Sequence, residues 1–234
     1  MPLRSKPENR CEHCQMRWSL CICTIMPKLD LETRVIILMH KREILTTTNT
    51  ARLAALALPN SEIRVRGVEG KAMSSDGLVV PGRTSLFLFP SETATELSHE
   101  FIADLRAKSP DPIQLIVPDG SWRQAFKVGK RIPALSETQW VKLPIDRPSE
   151  YQLRKEPNLG NLSTFEAIAR ALGFIEGPVQ GSRIQSEMET VFKTMVDRTL
   201  WIRGKLRPDE CLGGISDEAI ADRNGTGNRA LAGT

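Results

Sequence analysis

Four of the five cysteines fall in one short stretch, Cys11-Glu-His-Cys14-Gln-Met-Arg-Trp-Ser-Leu-Cys21-Ile-Cys23, a C-x2-C-x6-C-x-C pattern. Two short-spaced pairs can present four thiolates to Zn2+ in a tetrahedron. Nothing in the first twenty residues resembles the apolar core of a secretory signal, so a cytoplasmic setting is expected. Thiols stay reduced there, and metal ligation is the chemistry open to clustered cysteines. The alternative is a set of unliganded or redox-active thiols. His13 sits between better ligands and is read as a bystander, and Cys211 stands alone.

A second constellation lies mid-chain, where Pro118-Asp119-Gly120-Ser121-Trp122 follows the apolar run Ile113–Val117. Joining a strand to a helix needs only a glycine and a cap. Asp119 could be that cap, or it could be an acid–base group; both readings stand at this point. Gly120 permits a tight turn or the close approach of a ligand. On the following helix Arg123, Lys127, Lys130 and Arg131 share one side with no acid among them. Such a strip beside a pocket suits phosphate contacts, while a solvated basic face is the plain alternative. Arg64, Arg66, Arg83, Arg154 and Lys155 could extend it. A third constellation is Ser163-Thr-Phe-Glu166, a capping box at the start of an apolar-striped helix. Helix amides and hydroxyls there could also hold a carboxylate.

Strand and helix signals alternate around these groups. Val35–Met39, Ile63–Arg66, Ser85–Phe89, Ile113–Val117 and Thr138–Leu143 read as strands, with Ile63–Arg66 at an edge. Helices are expected over Thr50–Leu58, capped by Asn49 or Thr48, over a segment carrying Ala94, Leu97, Phe101, Ile102 and Leu105, and over Trp122–Arg131. This pattern predicts an α/β fold with a mostly parallel sheet covered on both faces. Ligands of such sheets bind beyond the carboxyl ends of the strands, where His40, Pro90-Ser91 and Asp119 fall. Three parts are expected: residues 1–32 with the knuckle, a catalytic domain over 33–207, and a flexible tail over 208–234.

The charge balance excludes little, because 32 basic residues against 28 acidic ones leave only +4. No apolar run approaches the ~18 residues of a membrane span, and the few aromatics argue against an RNA-stacking sheet.

The knuckle, "TNTARL" (48–53), "LFP" (88–90), "DGSW" (119–122), "YQLRKE" (151–156) and "LSTFEAIA" (162–169) occur in this order. In that arrangement the chain resembles the DTW-domain proteins, and through them tRNA-uridine aminocarboxypropyltransferases, over about residues 10–205. The family's Asp-x-Thr-Trp carries Ser121 in place of threonine here, which keeps the hydroxyl and loses a methyl. The resemblance implies a SPOUT-like fold with a C-terminal knot, and S-adenosylmethionine as cosubstrate. It implies transfer of the 3-amino-3-carboxypropyl group to N3 of a tRNA uridine, releasing methylthioadenosine. Asp119 would be the catalytic base. Leu88, Phe89, Pro90, Pro118, Gly120, Ser121, Trp122, Ser163 and Thr164 would hold the cosubstrate. Arg52, Arg123, Lys127 and Arg154 would meet tRNA, and Cys11, Cys14, Cys21 and Cys23 structural zinc. A SPOUT-type RNA methyltransferase and a non-enzymatic zinc-knuckle RNA-binding protein are the alternatives.

Overall fold

A computed structural model describes residues 9–70, 73–136, 138–153 and 162–225. The apolar runs become strands β1 (Arg34–His40), β2 (Ser61–Arg66), β3 (Thr84–Leu88), β5 (Ile113–Asp119) and β6 (Gln139–Lys142), joined by a two-residue strand β4 (Thr95–Glu96). They form one sheet in the order β2-β1-β5-β3-β6-β4, and every pairing is parallel. β5 lies inside the sheet and is buried along its whole length, as a strand covered on both faces must be. β2 takes an edge, as its alternation suggested.

Side chains alternate across the sheet and divide the core in two. Val35, Ile37, Leu115 and Val117 pack beneath α1 (Ala51–Ala57), α2 (His99–Lys108), α4 (Thr164–Ile175) and α5 (Pro178–Ile202). Ile36, Leu38, Phe87 and Ile116 face the other way, toward Ala125 and Val128 of α3 (Trp122–Arg131). Each fully buried Val, Leu or Ile contributes about 1.5–3 kcal/mol, so this alternation fixes which face each strand end presents. On the crowded side α4 and α5 touch backbone to backbone: a Cβ on Gly181 would stand 2.1 Å from the carbonyl oxygen of Gly173.

Two expectations are corrected. The helix expected to carry Ala94 and Leu97 starts only at His99, because Ser98 caps it by accepting from the Phe101 amide. Residues before it are extended, with Thr95 and Glu96 in register with Val141 and Lys142. The flexible tail expected from residue 208 is folded to residue 225. Helix α6 (Asp217–Arg223) buries Ala219, and Asp222 accepts from the Ser19 hydroxyl at 2.8 Å. Cys211 is buried beside the Asp197 carbonyl. Among the described residues no helix is long and apolar enough to cross a membrane.

Candidate active site

β5 ends at Asp119, and its alternation turns that carboxylate toward α1 and α4. Asp119 is only 5 % exposed. Its Oδ2 accepts from Asn49 Nδ2 at 2.8 Å, and its Oδ1 from the Thr164 hydroxyl at 2.6 Å. A buried carboxylate must be paired or hydrogen-bonded, and these two donors meet that need. Asn49 cannot turn its amide over, because its Oδ1 accepts from the Arg52 amide at the start of α1. Thr164 is the first residue of α4.

Asp119 is not the cap of α3. Ser121 takes that position, and Gln124 Oε1 accepts from the Ser121 amide at 2.9 Å. Gly120 lies between them with φ 146, a conformation L side chains rarely adopt, and a Cβ there would meet Gln124 Oε1 at 2.9 Å and His40 Cβ at 3.2 Å. The turn therefore requires glycine. Trp122 opens α3 and leans on Phe89 across 5.8 Å. Gly129, one face further along, is needed for packing: a Cβ would strike the Trp140 ring at 2.3 Å.

Two cavities meet at this point. An apolar one of about 220 Å³ is lined by Leu88, Phe89, Pro90, Pro118 and Leu143, with Arg147 and Arg170 at its polar side. A polar one of about 400 Å³ is lined by Thr48, Asn49, Asp119, Ser121, Tyr151 and Ser163. Gly120, Trp122, Leu162 and Thr164 border both. Every residue that the family resemblance would give to a cosubstrate borders one cavity or the other.

Helix α4 also holds the loop at the rim. Glu166, buried, accepts from the Ser149 hydroxyl, the Glu150 amide and the Ser163 amide. One turn on, the buried Arg170 donates to Asp146 Oδ1 and to the carbonyls of Arg147 and Pro148. The capping box occupies the amides of Ser163 and Glu166, and Thr50 Oγ1 accepts from that of Phe165. Fewer donors face the cavities from this helix start than its sequence suggested, and a carboxylate there would meet chiefly the Thr164 amide and the helix dipole.

At the other end of the chain the four cysteine sulfurs all lie within 4.8 Å of one another. Cys11 and Cys23 are 3.5 Å apart, Cys14 and Cys21 3.7 Å. Sulfurs of a tetrahedral zinc site stand roughly 3.8 Å apart when Zn–S is ~2.3 Å, so the donor set fits zinc. Burial and the neighbouring Cys21 and Cys11 push the Cys14 thiol up to about 11, and burial with Cys11 raises Cys23 further. A divalent cation at the centre would reverse that balance. Arg198 of α5 ties the knuckle down by donating to the carbonyls of Leu20 and Cys21.

Comparison with known proteins decides the family. The model of the DTW domain matches residues 8–200. The chain belongs to the DTW-domain family. It is 30% identical over 210 residues to tRNA-uridine aminocarboxypropyltransferase A of Arabidopsis thaliana, covering 80% of this chain and 79% of that one. It is 30% identical over 182 residues to tRNA-uridine aminocarboxypropyltransferase 2 of Macaca fascicularis, covering 75% and 58%. The protein of that name from Drosophila melanogaster is 27% identical over 198 residues, covering 81% and 76%. No solved structure matches.

In this DTW domain the family segments converge around Asp119. Tyr151 donates its hydroxyl to the Thr48 carbonyl at 2.7 Å, which joins "TNTARL" to "YQL". Arg154 and the rest of that segment to residue 161 lie outside the described residues. Among the basic residues, Arg123 borders the polar cavity and is exposed, as are Lys130 and Arg131, while Lys127 is half-buried. Arg52 borders neither cavity; its guanidinium donates to the Ile44 carbonyl at 2.6 Å and braces the loop after β1. Behind α3, Arg66 donates to the Gln124 carbonyl, and its Nε is buried with no partner among the described residues. Burial lowers the Arg66 pKa, Asp119 opposes that, and Arg131 lowers it further. Sequence reasoning missed Arg170 and the contact of Asn49 with Asp119. The first reads as a surface charge, and only the Asn-then-Arg spacing of a cap hints at the second.

Proposed function

We propose that this protein transfers the 3-amino-3-carboxypropyl group of S-adenosylmethionine to N3 of a tRNA uridine in the cytoplasm. One observation carries the reading: an apolar cavity and a polar one share a wall at Trp122 and Thr164, with Asp119 lining the polar one and bonded to Thr164. Transfer from one substrate to a protonated nitrogen of another is served by two adjoining compartments with a base within reach of the second. The names of the relatives supply the substrate class.

Leu88, Phe89, Pro90, Pro118 and Trp122 would enclose the adenosine, and Ser163 with Thr164 would orient the methionine end. S-adenosylmethionine supplies an electrophilic carbon beside a sulfonium leaving group. Uridine N3 carries a proton and is a poor nucleophile until that proton leaves, which is the task assigned to Asp119. Arg123 and Lys127 would take phosphates, and zinc at Cys11, Cys14, Cys21 and Cys23 would steady the segment next to α5. The SPOUT-like knot belongs to this proposal, supported by an all-parallel sheet with the site at the carboxyl ends of β5 and β3.

Incubation with S-adenosylmethionine and unmodified tRNA tests it. Release of methylthioadenosine that depends on tRNA is expected. S-adenosylhomocysteine instead would replace the reading with methyl transfer, and bound tRNA without either product would replace it with RNA binding alone.

A further inference from the structure

Asp119 is the buried partner in its pair with Thr164. It borders only the polar cavity and is 5 % exposed, while Thr164 is half-buried and borders both. The hydrogen bond between them is 2.6 Å, within the short range expected of a hydroxyl giving its proton to an anion. A hydroxyl has one proton and two lone pairs. With that proton directed at Asp119 Oδ1, any further contact of Thr164 Oγ1 must be as an acceptor from an N–H or O–H donor. Such a donor can reach it from the space shared by the two cavities. Donors on both oxygens of Asp119 stabilise the carboxylate and weaken it as a direct base. The same hydrogen bonds fix it in place to receive a proton through the hydroxyl. Asn49, itself locked by the Arg52 amide, keeps Oδ1 turned toward Thr164.

We propose that Thr164 is a catalytic proton relay. Resting on the aminocarboxypropyl-transfer reading, its Oγ1 takes the proton of the uridine N3–H while its own proton passes to Asp119 Oδ1. The N3–H bond breaks and an O–H bond forms on Thr164; the old Thr164 O–H bond breaks and one forms on Asp119. The electron pair left on N3 forms a bond to the γ-carbon as the bond from that carbon to sulfur breaks, and methylthioadenosine leaves with the carbon–sulfur pair on its sulfur. Both proton shifts occur together, so no alkoxide accumulates. Thr164 leaves the process as it entered, and Asp119 returns its proton to solvent when product departs. Asn49 is a positioning residue in this scheme.

Thr164→Val removes the hydroxyl and keeps the shape, and Ser163 retains the cap of α4. Single-turnover methylthioadenosine formation at saturating S-adenosylmethionine should fall by about 10²–10⁴-fold, with tRNA affinity unchanged. Thr164→Ser should restore the rate, which a purely packing role for the methyl would not allow. The solvent proton inventory of the unaltered enzyme gives a second measurement that needs no variant: a bowed plot marks two protons in flight, and a linear one overturns the relay. Thr164→Val turning over at the unaltered rate, while the unaltered enzyme still releases methylthioadenosine with tRNA, overturns the relay alone. An unaltered enzyme that yields no tRNA-dependent product overturns the transfer reading and the relay with it.

Discussion

Asn49 donates its side-chain amide to Asp119 across a separation of 70 positions in the chain, at 2.8 Å and out of reach of solvent. The same side chain accepts from the Arg52 amide, so one residue orients the carboxylate and starts helix α1. A single substitution should therefore be felt in two places.

Asn49→Ala removes a hydrogen bond to a buried charge and a helix-start acceptor. The expected loss of stability is about 2–4 kcal/mol, read as a lower urea midpoint with unchanged slope. Turnover should fall as well, because Asp119 loses the bond that turns its Oδ1 toward Thr164. Asn49→Asp should be worse on both counts, since it sets two carboxylates against each other. Equal midpoints for Asn49→Ala and the unaltered protein would remove Asn49 from the support of Asp119.

Gly120→Ala puts a Cβ where φ is 146 and where His40 Cβ stands 3.2 Å away. Backbone strain of this kind costs about 1–3 kcal/mol, and relieving it shifts Ser121 and Trp122, which line the cavities. Weaker S-adenosylmethionine binding by calorimetry and an earlier melt are expected together. A variant that binds and melts unchanged would show that the turn has room to spare.

The long strands and the start of α3 were legible because their apolar runs and turn residues say the same thing locally. β4 was not, since Thr95-Glu96 has no apolar signal and becomes a strand only by its register with Val141 and Lys142. Helix α5 carries charged residues along much of its length and becomes recognisable only against α4, where Gly173 meets Gly181. At the site, the types of the residues were readable, and the roles were settled by distance. Asp119 could have been a cap until Ser121 was seen to hold that position. Arg170 reads as a solvent charge in sequence, and only the loop at 146–148 folding over it makes it structural.

The protein should carry one zinc per chain when purified without added metal, because four sulfurs already lie within 4.8 Å of one another, two pairs of them at 3.5 and 3.7 Å. Cys14→Ser should lose the metal and expose the knuckle to protease, while the sheet and its cavities keep their cooperative melt. Metal-free protein with an intact, protease-resistant knuckle would contradict this.

His40 gives the stability a pH signature. Burial first, then Arg66, Arg42 and Lys41, hold its pKa below the ordinary value of 6.5, and its Nδ1 accepts from the Arg42 amide. The unfolded chain binds that proton more readily, so this site costs nothing above the ordinary value and destabilises the fold as pH falls through it toward the folded one. His40→Gln should flatten the decline in melting temperature below that value and leave stability at alkaline pH unchanged. An unaltered slope would place the acid sensitivity elsewhere.

The basic strip of α3 can be separated from ordinary solvated charge by its salt dependence. Arg123 borders the polar cavity, Lys127 follows one turn later, and Lys130 lies 4.5 Å from the Phe126 ring, so the charges form a row leading away from the site. Each phosphate neutralised releases counterions and adds about 0.9 to the slope of log affinity against log salt on a duplex. Reversing Arg123 and Lys127 together to Glu should weaken tRNA binding and reduce that slope by about 2. Arg52→Ala serves as the contrast, because its guanidinium is bonded to the Ile44 carbonyl. It should loosen the loop after β1 and leave the slope as it was. A full slope in the double reversal, or a reduced one in Arg52→Ala, would move the tRNA path from α3 to the face carrying α1.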